Sequence, residues 1–236
     1  DAEKGGRGSL LGALYQCRLS ALLGVLATLL FTDWLRVAGL ILLACPFVIW
    51  LTDRPLISGR TSITPEQKEE LHSYAAAMWR YYEQTCTASE HFLPPDNVQE
   101  SPVHAVAHRT SPTNIGLMML CTLCARDLGF VDTQTMAERL TKTMDSLDRC
   151  EKWHGNLLNW YDTRTLKTLG PRFCSAVDSG NFVCCLVALR EGILEYKGKS
   201  PLISPLSERI GKMVDQTDLR PMYDEKRKLF HIGYDL

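Results

Sequence analysis

The sequence predicts an all-α protein in two parts: an N-terminal helical hairpin over residues 1–57, then a longer set of paired helices over 58–236. Three observations carry this. Charge is divided unevenly: Gly8 to Thr52 holds only Arg18, Asp33 and Arg36, whereas close to a quarter of the residues from Ser58 onward are charged. Apolar side chains recur at helical spacing behind recognisable helix starts, and strand patterning is sparse. Short and long connections alternate along the second part.

The whole-chain averages conceal this division. A length of 236 residues, 45% hydrophobic, 22% charged and a formal net charge of -1 describe an ordinary globular protein. They exclude a disordered tail, a collagen-like chain and a basic nucleic-acid binder. The mean hydropathy of -0.09 averages two unlike pieces.

In the first part, Leu19–Thr32 and Val37–Thr52 are uncharged. Each run is shorter than the roughly 20 residues of a spanning helix. Tyr15-Gln16-Cys17 lengthens the first and Trp34-Leu35 the second, with Asp33 and Arg36 at a turn between them. A doubled apolar stretch fits a membrane hairpin better than a cleaved signal peptide. A buried hairpin of a soluble protein is the alternative. Lys4, Arg7 and Arg18 precede the pair and Arg54 and Arg60 follow it. The positive-inside rule then places both ends, and the second part, in the cytoplasm of a cell-membrane protein.

After a polar linker over 58–63, Thr64-Pro65-Glu66-Gln67 has the form of a capping box with proline at the first helical position, opening a helix to about Cys86. Ser111-Pro112 opens a second helix through Leu117, Leu120, Cys124 and Leu128, stopped by Gly129. Asp132 caps a third, with Met136, Leu140, Met144 and Leu147 on one face and Val131 stapled to Met136. A fourth follows Ser179, and a fifth starts near Ser204-Pro205 with Leu206, Ile210, Met213 and Val214 as its stripe.

The connections at 92–110 and 151–178 are long and aperiodic, and long connections in compact domains are commonly functional. If successive helices are antiparallel, the second and fourth point the same way. Both long connections then end at helix N-termini at one end of a toroid whose inner and outer helices alternate. The connections carry Asp, Asn, Gln and Arg beside Trp160 and Tyr161. Sugar hydroxyls take planar bidentate partners, and a pyranose C–H face stacks on Trp or Tyr.

Plainer readings stand beside these. Ser111, Asp178 and Ser179 serve equally as helix caps, and Trp160 as core. His104 and His108 have i, i+4 metal spacing but no third ligand, so no metal or other cofactor is expected. The nine cysteines are odd in number and irregularly spaced, which fits a reducing compartment. Cys121-x-x-Cys124 and Cys184-Cys185 read as core thiols, and Glu191 and Glu195 as a solvated helix face. The start at Asp1 and the end just after Leu229-Phe230-His231-Ile232 read as those of a fragment.

Four runs resemble a known family. Pro94-Pro-Asp-Asn-Val-Gln-Glu100, Val106-Ala-His-Arg-Thr-Ser-Pro-Thr-Asn-Ile-Gly116, Asn159-Trp-Tyr-Asp-Thr163 and Val177-Asp-Ser-Gly-Asn181 are similar to the glycoamylase-like middle region of the cyclic β-1,2-glucan synthases, and Tyr223 to Tyr234 resembles the stretch entering that region's second half. The resemblance covers roughly residues 50–236. It implies the first part of an (α/α)6-barrel that closes a glucan by transglycosylation, within a large membrane protein that also polymerises glucose and trims the product. The implied partners are a β-1,2-linked glucan, the lipid bilayer and the remaining domains of the same polypeptide; a nucleic acid is not among them. The residues expected to line the glucan cleft are Asp96, Asn97, Gln99, Glu100, His108, Arg109, Asn114, Trp160, Tyr161, Asp162, Asp178, Ser179 and Asn181. A retaining transglycosylase needs two carboxyl groups about the glycosidic bond. The family's glutamates lie in MFEY- and ISES-type motifs, neither of which occurs here, so no catalytic residue is assigned. Two rival readings are a membrane-tethered helical interaction module, with its long loops at opposite ends, and a hydrolase or phosphorylase relative with Glu100 as acid.

Overall fold

A computed structural model describes residues 10–53 and 63–236. Lys4, Arg7, Arg54, Arg60 and the linker over 58–62 lie outside the described residues. The chain divides into two compact units, the first ending at Ile63 and the second beginning at Thr64.

The first unit holds α1 (Leu10–Gln16), α2 (Arg18–Leu30) and α3 (Trp34–Thr52). Asp33 caps α3, its side chain accepting from the Leu35 amide at 3.1 Å. Among the described residues α3 is the helix long and apolar enough to cross a membrane; α1 and α2 reach that length only as a pair bent by 75°. Helices α2 and α3 touch through glycine. A Cβ on Gly39 would meet Thr28 Oγ1 at 2.6 Å and the Gly24 carbonyl at 2.9 Å. Small residues permit such close approach of two helix backbones. Leu19, Leu29, Trp34 and Ile41 face outward and exposed.

The second unit is built on five helices: α4 (Pro65–Thr85), α5 (Pro112–Asp127), α6 (Thr133–Arg149), α7 (Ala176–Leu194) and α8 (Ile203–Gln216). The Thr64–Gln67 capping box forms in both directions. Ser111 and Asp132 cap α5 and α6 by accepting from the Asn114 and Thr135 amides. Met136, Leu140, Met144 and Leu147 are fully buried. Helix α7 starts earlier than the sequence suggests: its cap is Ser175, accepting from the Asp178 amide at 3.1 Å, and Ser179 lies inside the helix.

Helices α5 and α7 lie side by side and parallel. Thr113 meets Asn181, Gly116 abuts Cys185 and Leu123 abuts Gly192, so the contacts advance along both helices together. At two of them a glycine is required: a Cβ on Gly116 would sit 2.9 Å from Cys185 Cβ, and one on Gly192 2.4 Å from Leu123 Cδ2. Helices α6 and α8 pack on each other and on α5 and α7 respectively.

The all-α expectation needs correction, because the long connections are β-structured. A four-stranded antiparallel sheet runs in the order β10 (Gly233–Asp235), β7 (Thr168–Ser175), β6 (Asn159–Asp162), β3 (Arg109–Thr110). Three small hairpins accompany it: β1 (Val98–Gln99) with β2 (Ala105–Val106), β4 (Lys152–Trp153) with β5 (Asn156–Leu157), and β8 (Tyr223–Asp224) with β9 (Leu229–Phe230). Two-residue strands are too short to show alternation, and β7 is disguised by Gly170 and Pro171.

The core-thiol reading of Cys121, Cys124, Cys184 and Cys185 needs correction: Cys124 and Cys184 are exposed and Cys121 and Cys185 half-buried, while the buried thiols are Cys86, Cys150 and Cys174. Burial pushes the Cys86 thiol up to about 12 and the Cys150 thiol up to about 11. Thiolate is the reactive form. Iodoacetamide at neutral pH should therefore modify Cys124 and Cys184 and spare Cys86 and Cys150, as read by peptide mass mapping. Rapid modification of Cys86 in the folded protein would contradict the packing.

Candidate functional site

Both long connections contribute to one sheet. Arg109 pairs with Asp162 and Thr110 with Tyr161, and the chain on either side of β3 and β7 runs directly into the N-termini of α5 and α7. The loops therefore meet at one end of the parallel helix pair, at the end where unpaired amides and the positive dipole ends lie.

Asp96 organises this mouth. Its Oδ2 accepts from Arg109 Nε at 3.2 Å, Arg109 Nη2 at 3.0 Å and Asn97 Nδ2 at 3.1 Å. Its Oδ1 accepts from Asn114 Nδ2 at 3.2 Å, which ties the loop to the first turn of α5. The Arg109 guanidinium lies over the Trp160 ring, 5.1 Å from its centroid. This is cation–π geometry. Beside Asn114, Thr113 Oγ1 accepts from Asn181 Nδ2 at 3.3 Å, joining α7 to α5. Asp178 is half-buried in the first turn of α7.

Asp96, Asn97, Arg109, Asn114 and Trp160 thus form a connected row; Asn181 touches Thr113, the chain neighbour of Asn114, and Asp178 precedes Asn181 by three residues in α7. Trp160 stays half-exposed where the β6–β7 register shifts between Asn159 and Tyr161; such irregularities re-aim side chains.

Other expected site residues do different work. Tyr161 is completely buried, donating to the Glu151 carbonyl and accepting from the Leu158 amide, and burial pushes its phenol above the usual range. It cannot stack on a sugar. Ser179 is 2% exposed, with Cys174 Sγ 3.8 Å from its hydroxyl. Asp162 accepts from the Arg164 and Thr165 amides through Oδ1, each at 2.9 Å, and so shapes the β6–β7 turn. Partial burial opposes its charge, but those amides outweigh it and hold the carboxyl below its ordinary range. Gln99 donates to the Val103 carbonyl within its own hairpin. Glu100 lies on the hairpin flank facing α4 rather than in the row.

His108 belongs to a cluster absent from the sequence reading. Glu90, on a short 3-10 turn (Ala88–Glu90) after α4, is 7% exposed. Its Oε1 lies 3.0 Å from His108 Nδ1, off the line of a hydrogen bond, and its Oε2 accepts from Thr163 Oγ1. His91 Nδ1 contacts the Thr163 carbonyl at 2.9 Å. Glu90 thereby joins the end of α4 to both long connections. No spacing rule signals a partner so far along the chain. Among the described residues no group of three or more His, Cys, Asp or Glu side chains is placed to hold a metal ion.

No family model matches the chain. It is 40% identical over 159 residues to the cyclic β-(1,2)-glucan synthase NdvB of Rhizobium meliloti (strain 1021). The chain carries a stretch related to the cyclic β-1,2-glucan synthases. The match spans 67% of this chain and 6% of that synthase. Solved structures give the fold. The endo-β-1,2-glucanase of Chitinophaga pinensis, in complex with sophorotriose and glucose, aligns with a TM-score of 0.58 at 14% identity over 71% of this chain and 40% of that one. The β-1,2-glucanase of Parabacteroides distasonis gives 0.59 at 18% identity over 71% and 24% of the two chains. A glucoamylase-like protein of Bacteroides fragilis NCTC 9343 gives 0.59 at 17% identity over 77% and 43%. The chain therefore spans less than half of each of these solved structures.

Proposed function

We propose that this chain is part of a membrane-bound cyclic β-1,2-glucan synthase and contributes glucan-binding surface to the domain that closes the glucan into a ring. The observation that carries the reading is the row from Trp160 through Arg109 and Asp96 to Asn114, within a stretch 40% identical to such a synthase. The row offers an aromatic ring, a guanidinium 5.1 Å from its centroid and amides fixed by a shared carboxylate. That combination suits a neutral, hydroxyl-rich ligand. Asp96 is engaged by Arg109, Asn97 and Asn114, so its role is to position them, and catalysis is left to carboxylates elsewhere in the parent protein. An interaction module with its long loops at opposite ends fits poorly with the Arg109–Asp162 pairing.

In this reading α3, with 19 residues, spans the bilayer; at about 1.5 Å per residue it nearly matches a hydrocarbon core of roughly 30 Å. The bent α1–α2 pair returns beside it, with the second unit on the cytoplasmic side.

The test is calorimetric titration of the 236-residue chain with β-1,2-glucooligosaccharides. Trp160→Ala should weaken binding about tenfold through lost stacking area. Equal affinity in wild type and variant would remove the row from the site.

A further inference from the structure

We propose that the crevice between α4 and the β1–β2 hairpin is a second, remote subsite for the same β-1,2-linked glucan, an assignment that rests on the proposed glucan-binding role of the mouth. The crevice has a volume of about 450 Å³, within the range of small-molecule sites. Arg80 and Gln84 project from α4 on one wall, and Glu100 and His104 from the hairpin on the other; Tyr81 and Val106 contribute to its apolar part.

Two features point to a sugar. First, the exposed side chains of Arg80, Gln84, Glu100 and His104 have no hydrogen-bond or ion-pair partner among the described residues, and all four line one concavity. Arg209, by contrast, is fully engaged by Asp145 and Asp148. Second, the chemistry of the walls is balanced. A guanidinium donates, a carboxylate accepts, and an amide and an imidazole do both. One positive and one negative group leave little selection for a charged ligand. A ligand whose every hydroxyl both donates and accepts can use all four. Tyr81 has its hydroxyl committed to the Pro95 carbonyl at 3.1 Å, so its ring is what it offers.

The crevice also has a fixed relation to the mouth. The Asp96 amide donates to the Ala107 carbonyl at 3.2 Å and the Ala107 amide to the Asn97 carbonyl at 3.0 Å, closing the base of the hairpin. Asp96 at that base holds Arg109, and Tyr81 reaches Pro95 beside it. One hairpin thus carries the mouth at its root and the crevice on its flank. A long glucan engages both, and linked engagement raises the affinity of the whole chain above that of either end. A disaccharide occupies the mouth alone.

The experiment compares a β-1,2-linked disaccharide with a β-1,2-glucooligosaccharide several times longer, titrated into the full chain, an Arg80→Ala/His104→Ala double variant and a Trp160→Ala variant. Arg80 and His104 are exposed, and circular dichroism checks that the double variant remains folded. The double variant should lose about tenfold in affinity for the long chain and keep its affinity for the disaccharide. Trp160→Ala should weaken both. Long-chain binding unchanged in the double variant, with Trp160→Ala still impaired, overturns the remote subsite and leaves the mouth intact. A wild-type chain that binds neither ligand overturns the glucan-binding role and the subsite with it.

Discussion

Replacing Gly155 with alanine should destabilise the second unit by roughly 3 kcal/mol or more, lowering its melting temperature by about 10 °C. Gly155 turns the β4–β5 hairpin at φ +79°, a conformation unfavourable to L side chains. The steric effect is larger. A Cβ there would stand 1.9 Å from the Gln216 carbonyl oxygen and 2.7 Å from its carbon, both backbone atoms. No rotamer relieves that clash; the hairpin must lift off the end of α8. Lifting it would break the bonds that dock the two, from the Asp218 amide to the His154 carbonyl at 3.0 Å and from Asn156 Nδ2 to the Asp218 carbonyl at 2.7 Å. Gly129 provides the control. It has the same φ of +79°, but a Cβ there meets nothing within 4 Å. Gly129→Ala should cost only the backbone strain, about 1 kcal/mol. Thermal unfolding of the two variants separates the effects, and equal losses would show that the Gly155 contact contributes nothing.

The second large effect is expected at Glu90. Glu90→Ala should cost about 2–3 kcal/mol, because His108 and Thr163 would be left facing a cavity without their carboxylate partner. The damage should extend to the mouth. The Thr163 amide donates to the His108 carbonyl at 3.1 Å, and Arg109 follows His108 directly. Hydrogen exchange at the Thr163 amide should accelerate in Glu90→Ala. Glu90→Gln, which can still accept from Thr163, should lie between wild type and alanine. Unchanged exchange in the alanine variant would mean that the α4 end and the long connections are held together by something else.

Much of the helical frame could be read from the residues because each element announces itself locally. Thr64 and Gln67 are three apart, and the buried stripe of α6 lies within one helix. The convergence of the long connections at one end also followed from helix count and connection length. What escaped was whatever depends on distant partners or on strand alternation. As a loop, the segment offers Trp160 and Tyr161 together as a pair of sugar-stacking rings. Once it is a strand, neighbours point to opposite faces, and Tyr161 goes into the core while Trp160 remains at the surface. Ser175 and Ser179 are equally good caps by composition, and the extended backbone of β7 runs on to Ser175 and decides between them. Glu90 has no local signature, since its partners arrive from His108 and Thr163.

The pairing of β3 with β6 also sets an order of events. Its two strands lie about fifty residues apart, with the whole α5–α6 helical pair between them. Helical contacts close over short separations and form early, whereas a strand pair of this span must first overcome the entropy of a long loop. On a chain emerging from the ribosome, α4, α5 and α6 can dock before any of β6 exists. The mouth is thus assembled late, and Arg109 acquires its aromatic neighbour only when the segment through Trp160 has been made and folded back. A glucan arriving sooner would meet Arg109 and Asp96 without the ring that completes the row.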